Sequence, residues 1–147
     1  MDRDDTIATL NELIETCKDG EEGFLACAQN VKNPSLKTFF EEKAQRCATG
    51  AIQLRDKVRE LGGDPERSGS TTGTLHRGWI NIKATIAGMD DHAILAECER
   101  GEDSAKGAYE QALQRDLPPD VRRLVDTQYR EVKANHERVR DMRNAAV

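Results

Sequence analysis

The segment Cys-Lys-Asp-Gly-Glu-Glu at residues 17–22 recurs as Cys-Glu-Arg-Gly-Glu-Asp at residues 98–103, 81 positions later in the chain. Each copy lies within a long stretch whose apolar residues recur every three or four positions, which is the spacing of one face of an α-helix. The central acids of the two copies, Glu21 and Glu102, fall on these apolar faces, where a carboxylate loses its hydration. The repeat therefore predicts a helical fold with two similar halves, each of which contributes a carboxylate to the core.

The same periodicity predicts four long helices, at about residues 6–31, 35–61, 90–116 and 119–144. The first helix has Thr6 as its predicted N-cap. Asn-Pro-Ser at residues 33–35 separates the first pair of helices, and Leu-Pro-Pro at residues 117–119 separates the second pair. Gly62 suits the left-handed conformation that ends a helix. Because both links are short, each pair should form an antiparallel hairpin.

The connection between the two hairpins is long. About 28 residues separate the second helix from the third, and they include a predicted short helix at about residues 75–87. A connection of this length can run from one end of a bundle to the other, and the order short, long, short is that of ferritin-like bundles. We therefore predict one domain over residues 1–147, an all-α, ferritin-like antiparallel four-helix bundle whose long crossover contains a short extra helix.

The composition excludes several classes of function. Charged residues make up 33% of the chain and aromatic residues 4%, a balance typical of helical bundles. The formal net charge of −5 and the absence of a basic stripe argue against nucleic-acid binding. The sequence has neither an apolar run of roughly 18 residues nor a basic segment followed by an apolar one at its start. We therefore expect a cytoplasmic protein without a membrane partner.

A two-metal site of the ferritin-like kind is incomplete in this sequence. Such a site takes one Glu from each of two helices and a Glu-x-x-His from each of the other two. Glu21 and Glu102 fit the single-carboxylate role. In the fourth helix, however, His136 is preceded three residues earlier by Lys133, and the second helix contains no histidine. The sequence therefore does not predict a two-metal ferroxidase.

The residues that remain predict a polar core made of Glu21, Arg46, Glu102, Gln128 and His136. In the structural interpretation, Lys43 or Arg46 together with His136 balances the two glutamates and fixes the helix register, with no catalytic residue and no cofactor. In the alternative, Glu21, Glu102 and His136 hold a single iron or manganese ion together with water. Both interpretations place charge or metal at the centre of the bundle.

The spacing of the cysteines indicates neither a zinc ribbon nor a dithiol redox site. Cys17, Cys27, Cys47 and Cys98 are never spaced as Cys-x-x-Cys. Most of them fall on or beside the apolar faces, where a free thiol packs as a small hydrophobic group. We therefore expect them to belong to the core.

The predicted crossover helix carries the single tryptophan of the chain. Trp79 is preceded by His76 and Arg77, and these residues could present a surface for a partner or a ligand. The alternative is structural, because apolar residues at helical spacing flank Trp79 and would let it plug the crossover onto the bundle. The second interpretation predicts a buried indole.

Several blocks of the chain resemble a bacterial ferritin-like four-helix-bundle family of unknown function. They are Leu-Asn-Glu-Leu-Ile at 10–14, Asp-Gly-Glu-Glu-Gly-Phe at 19–24, Leu-Gly-Gly at 61–63, Leu-His-Arg-Gly-Trp at 75–79 and Glu-Arg-Gly-Glu-Asp at 99–103. The resemblance implies the bundle fold, a bacterial cytoplasmic setting and a link to stress responses, but it supplies no catalytic or ligand residues. We expect a non-catalytic bundle that acts through association, for example as a homodimer, with the metal-binding protein as the alternative.

Overall fold

The computed structural model describes residues 2–65 and 86–145, which form four long helices. They are α1 (Arg3–Asn30), α2 (Pro34–Glu60), α3 (Asp91–Leu113) and α4 (Pro119–Ala145). α1 packs against α2, α3 packs against α4, and α1 also packs against α3, which joins the two hairpins. No strand occurs in the two described ranges. The prediction of an all-α bundle of two helical hairpins is confirmed.

Polar caps determine where the helices begin. The side chain of Asp2 accepts a hydrogen bond from the backbone N–H of Asp5 at 2.8 Å, so α1 begins three residues earlier than predicted. The assignment of Thr6 as N-cap is therefore wrong. Its hydroxyl donates to the carbonyl of Asp2 at 2.9 Å, inside the first turn. An aspartate is the better cap because its charge also favours the helix dipole. Asn33 and Asp90 cap α2 and α3 in the same way.

The helix ends depend on one glycine and one arginine. Gly62 has a φ of +83°, which confirms the predicted left-handed residue after α2. α3 ends at Leu113, three residues before the predicted end. The guanidinium of Arg122 on α4 donates to the carbonyl of Leu113 at 2.8 Å and also contacts the carbonyl of Arg115. A side chain from the next helix thus takes over the free carbonyls at the end of α3.

The apolar core consists of two clusters along the bundle. One lies towards the α1–α2 link and includes Phe24, Phe40, Leu95 and Val139. The other lies towards the opposite end and includes Leu10, Leu54, Tyr109, Val121 and Val125. Between the two clusters are the middle turns of all four helices, which carry buried polar side chains. A functional site in this layer would leave both apolar clusters intact.

Part of the predicted crossover lies outside the described residues. This applies to the predicted helix at about 75–87 except for its last two residues, and it includes His76, Arg77 and Trp79. Ile86, which is described, is fully buried against the cluster at the α1–α2 end. Among the described helices, none has the length and apolar character needed to cross a membrane.

Candidate functional site

A pocket occupies the polar layer between the two apolar clusters. Its cavity has a volume of about 60 Å³. All four helices contribute to its wall, with buried residues that include Cys17, Gly20, Phe24, Gly50, Glu102, Tyr109 and Gln128. Arg46, Gln53 and Glu131 also line it and are exposed or half-buried, so they mark the side that faces solvent, between α2 and α4. In this part of the structure, buried polar side chains border a pocket that opens to solvent on one side.

One hydrogen-bond chain crosses the layer and links all four helices. The hydroxyl of Tyr109 on α3 donates to Oε1 of Gln128 on α4 at 2.7 Å. The thiol of Cys17 on α1 lies 3.3 Å from the same hydroxyl, and because the phenol proton is already used, the thiol must be the donor. The amide nitrogen of Gln128 donates to the carbonyl of Gly50 at 3.2 Å and to Oε1 of Gln53 at 2.9 Å, both on α2.

Glu102 is the buried carboxyl group of the pocket. Its side chain is 3% exposed, and its Oε1 atom has no hydrogen-bond partner within the described part of the chain. Burial raises the pKa of Glu102 from an ordinary 4.5 to about 8; Lys43 lowers it in part, and Asp103 raises it further. The carboxyl group is therefore mostly protonated at neutral pH, which is how a buried acid without a partner avoids carrying a charge.

The other ionisable groups of the layer are also held neutral. Burial raises the pKa of the Cys17 thiol to about 11, and it raises the pKa values of Cys47 and Tyr109 well above their ordinary values. Because the thiolate is the nucleophilic form of cysteine, these thiols are poorly suited to attack a substrate. The pocket thus presents a weakly polar wall with protonated groups.

Two Cys-x-x-Gly segments pack against each other where α1 crosses α2. A Cβ atom placed on Gly20 would lie 2.9 Å from Sγ of Cys47. A Cβ atom on Gly50 would lie 3.4 Å from Sγ of Cys17, so each thiol covers the glycine of the other segment. The sequence repeat drew attention to Gly20, but the matching segment at residues 47–50 was missed. Its spacing, Cys followed three residues later by Gly, was the available signal.

Two of the predicted core residues lie at the edge of the layer. Arg46 is exposed and forms a two-pronged ion pair with Glu131 on α4, with distances of 2.7 Å and 3.0 Å. It therefore pairs with neither Glu21 nor Glu102, which corrects that part of the structural interpretation. Glu21 is half-buried rather than buried, because α1 turns Gly20 and Phe24 inward and leaves Glu21 beside that face. Arg46 stays at the surface because a long arginine side chain keeps its charged group in water more favourably than in the core.

His136 also has a different neighbour from the predicted one. Its Nε2 atom lies 2.5 Å from Oδ1 of Asp103, an exposed residue on α3. This contact does not meet hydrogen-bond geometry, and Nε2 has no other partner within residues 2–65 and 86–145. Histidine and Glu102 are therefore not paired, whereas Gln128 is buried in the layer where the sequence placed it.

The described residues do not fit a ferritin-like metal centre. Within the described ranges, no group of three or more His, Cys, Asp or Glu side chains converges closely enough to hold a metal ion. Glu21, Glu102 and His136 thus do not form a common ligand set in this structure. Tyr109 and Gln128, the nearest other polar groups, already bond to each other.

Comparison with known proteins identifies the fold and a family. A family model described as a domain of unknown function, DUF2383, matches residues 5–115. A crystal structure of a two-domain protein from Anabaena variabilis, containing DJ-1/ThiJ/PfpI-like and ferritin-like domains, is similar with a TM-score of 0.83 and 14% identity. The match covers 100% of this chain and 41% of that one, so this chain spans less than half of that protein. No curated protein is a significant match.

At 14% identity the likeness to the solved structure shows the fold alone. It confirms the prediction of a ferritin-like four-helix bundle.

Proposed function

This chain belongs to the family of the domain of unknown function DUF2383, and we propose that it is a non-catalytic protein with a structural polar core that acts through association. The observation that carries the proposal is the hydrogen-bond chain from Cys17 through Tyr109 and Gln128 to Gly50. Its polar groups bond to one another, and they link all four helices. Groups used in this way fix the helix register and are not available to a substrate.

The raised pKa values support the non-catalytic part of the proposal. A nucleophile or general base works best with a pKa near the operating pH. The pKa values of Cys17, Cys47 and Tyr109 are all raised by burial, which keeps these groups protonated. Glu102 has a pKa near neutrality, at about 8, but its Oε1 atom has no hydrogen-bond partner among the described residues.

The proposal places the protein in a bacterial cytoplasm with a role in stress. All four cysteines are free, which suits a reducing compartment. The stress role is supported by the family resemblance of the sequence blocks. It is tested by measuring the amount of the protein, and the survival of cells that lack it, after oxidative, osmotic and starvation stress. Unchanged amounts and unchanged survival under all three would contradict it.

Association is the proposed mode of action, and a homodimer is its simplest form. Leu25 and Ile52 support it, because they are large apolar side chains that remain 41% and 55% exposed. Light scattering after gel filtration should give twice the mass of the 147-residue chain, and Ile52→Lys should reduce it to that of one chain. A wild-type monomer at all concentrations would rule out self-association.

The rival function is binding of iron or manganese, which the unpartnered Oε1 of buried Glu102 favours. Elemental analysis separates the two functions. The protein is purified without chelators or a metal-affinity column, and then measured again after anaerobic addition of Fe²⁺ or Mn²⁺. We expect no stoichiometric metal and an unchanged melting temperature. Stoichiometric metal that disappears in Glu102→Ala or His136→Ala would overturn the structural proposal.

A further inference from the structure

Glu102 is a buried polar residue of the cavity that the hydrogen-bond chain does not use. Tyr109 and Gln128 line the cavity, but their polar atoms bond to each other and to α1 and α2. Glu102 also lines it, is 3% exposed, and keeps Oε1 without a partner in the described residues. A buried acid that lines a pocket is suited to a ligand that donates a hydrogen bond.

The charges around the cavity favour a cation. Glu131, Glu21 and, once it is ionised, Glu102 raise the pKa of the Cys47 thiol, which means that they oppose a negative charge at that point of the wall. The guanidinium of Arg46 is held at the rim by Glu131. Lys43 lowers the pKa of Glu102 and so partly opposes a cation there. At a pH that ionises Glu102, a positively charged ligand still gains from the three nearby carboxylates.

The remaining wall favours a ligand with a short hydrocarbon part. Phe24, Ala105 and Val132 line the cavity together with the protonated thiols. Its volume of about 60 Å³ has room for a few water molecules, since roughly 10–15 Å³ of such space holds one. A head group and one or two carbon atoms fit this space, whereas a larger ligand would extend past the rim.

We propose that this cavity is a binding site for a small primary alkylammonium ion, whose nitrogen donates a hydrogen bond to the carboxylate of Glu102 while its carbon atoms contact Phe24 and Ala105. An ammonium group carries three donors and no acceptor, so one carboxylate can anchor it. A metal ion would need several ligands, which do not converge in the described ranges. The site goes beyond the structural role proposed above, since the hydrogen-bond chain stays intact whether or not the cavity is filled.

The test uses ethylammonium chloride as the probe and ethanol as its neutral analogue of equal size. Binding is measured by titration with two-dimensional NMR and by calorimetry at about pH 8.5, where Glu102 is largely ionised and the amine is still charged. We expect saturable shifts of residues that line the cavity with ethylammonium. Ethanol should bind at least about tenfold more weakly, since it lacks the charge-assisted hydrogen bond.

Three variants locate the binding. Glu102→Gln should weaken ethylammonium binding at least about tenfold, because the carboxylate is lost while the shape is kept. Glu97→Gln is the matched control, since it removes the same charge from α3 at a residue that pairs with Arg100 and lies outside the cavity. Ala105→Leu should abolish binding by filling the space, and it decides the question if Glu102→Gln fails to fold.

Four results would overturn the proposal. They are the absence of saturable ethylammonium binding, equal binding of ethanol, equal binding by Glu102→Gln, and displacement of the amine by stoichiometric Mn²⁺. The first result would leave the structural role of the polar layer unaffected. The last would instead move the whole assignment to a metal site and contradict the proposed function as well.

Discussion

Tyr109 on α3 and Gln128 on α4 are both buried, and the tyrosine hydroxyl donates a 2.7 Å hydrogen bond to the glutamine carbonyl. This bond sits at the centre of the bundle, between the two apolar clusters. Through the amide of Gln128 it continues to the backbone of Gly50 on α2. The middle of the bundle is therefore held by directional polar contacts, which specify helix register more strictly than apolar contacts do.

Tyr109→Phe should destabilise the protein by about 1–3 kcal/mol, because it leaves the buried carbonyl of Gln128 without a donor. Urea unfolding measures the change in the free energy of unfolding. Tyr129→Phe is the control, since that hydroxyl bonds to Glu110 at the side of the bundle at 2.8 Å. The control should change stability by less than about 0.5 kcal/mol. Equal, small effects in both variants would show that the buried bond is not important.

Gly20→Ala should destabilise the protein by about 1 kcal/mol or more, although alanine is the better helix former. The added Cβ would lie 2.9 Å from Sγ of Cys47. Adding Cys47→Ala should recover most of the loss, since it removes the opposing atom. Gly107→Ala is the matched control, because a Cβ there has no atom within 4 Å. It should stabilise the protein by about 0.5–1 kcal/mol. Similar changes at both glycines would refute the close packing.

The fold could be predicted from the sequence because the signals for it are local. Apolar residues at helical spacing give the helices, and Pro34 and Pro118 mark links too short for anything except hairpins. The exact ends of the helices were harder to predict from the sequence. The start of α1 depends on which of several polar residues near the N-terminus caps it, and the end of α3 depends on Arg122 from another helix. A contact between helices leaves no periodic signal.

The site could be predicted only in part. The positions of Glu102 and Gln128 on the apolar faces of their helices predicted that both are buried, and both are. The same pattern put Glu21 inward, but a residue one position from the centre of the face can lie at its edge. The side chains with which Arg46 and His136 pair could not be predicted from the sequence. The pairs Arg46–Glu131 and His136–Asp103 depend on how α2 and α3 pack beside α4. Tyr109 is also part of the layer, but no sequence spacing indicates that its hydroxyl bonds to Gln128.

The native thiols should react slowly. Burial raises the pKa values of Cys17, Cys47 and Cys98, so little thiolate is present near pH 7.5. An aromatic disulfide reagent should label the folded protein at least about tenfold more slowly than the protein in urea, with all four thiols released together on unfolding. Rapid labelling of one or two thiols in the native state would instead identify a reactive cysteine and argue against a non-catalytic pocket.

Stability should fall as pH rises from about 5 to 8. The folded-state pKa of Glu102, about 8, lies above its ordinary 4.5, so over this range the folded protein retains a proton that the unfolded chain has released. The full loss between these two pKa values is roughly 5 kcal/mol at about 1.4 kcal/mol per pKa unit. Arg46 lowers the pKa of Glu131, so the contribution of the Arg46–Glu131 pair to stability is lost only when the pH falls.

Urea unfolding at several pH values measures this dependence. Glu102→Gln should remove most of the slope, because the amide does not titrate, while Glu97→Gln should retain it. If Glu102→Gln shows the same dependence of unfolding free energy on pH as the wild type, the dependence comes from another group.

The protonation state of Glu102 is the central claim, because it separates a neutral cavity from a charged metal site. The most direct measurement follows the carboxyl carbon of Glu102 by ¹³C NMR as the pH is changed, with Glu102→Gln used to assign the signal. A midpoint near 8, the value expected for this buried carboxyl group, would support the structure described above. A midpoint near the ordinary 4.5 would mean that the carboxylate is ionised at neutral pH, and it would contradict the neutral pocket.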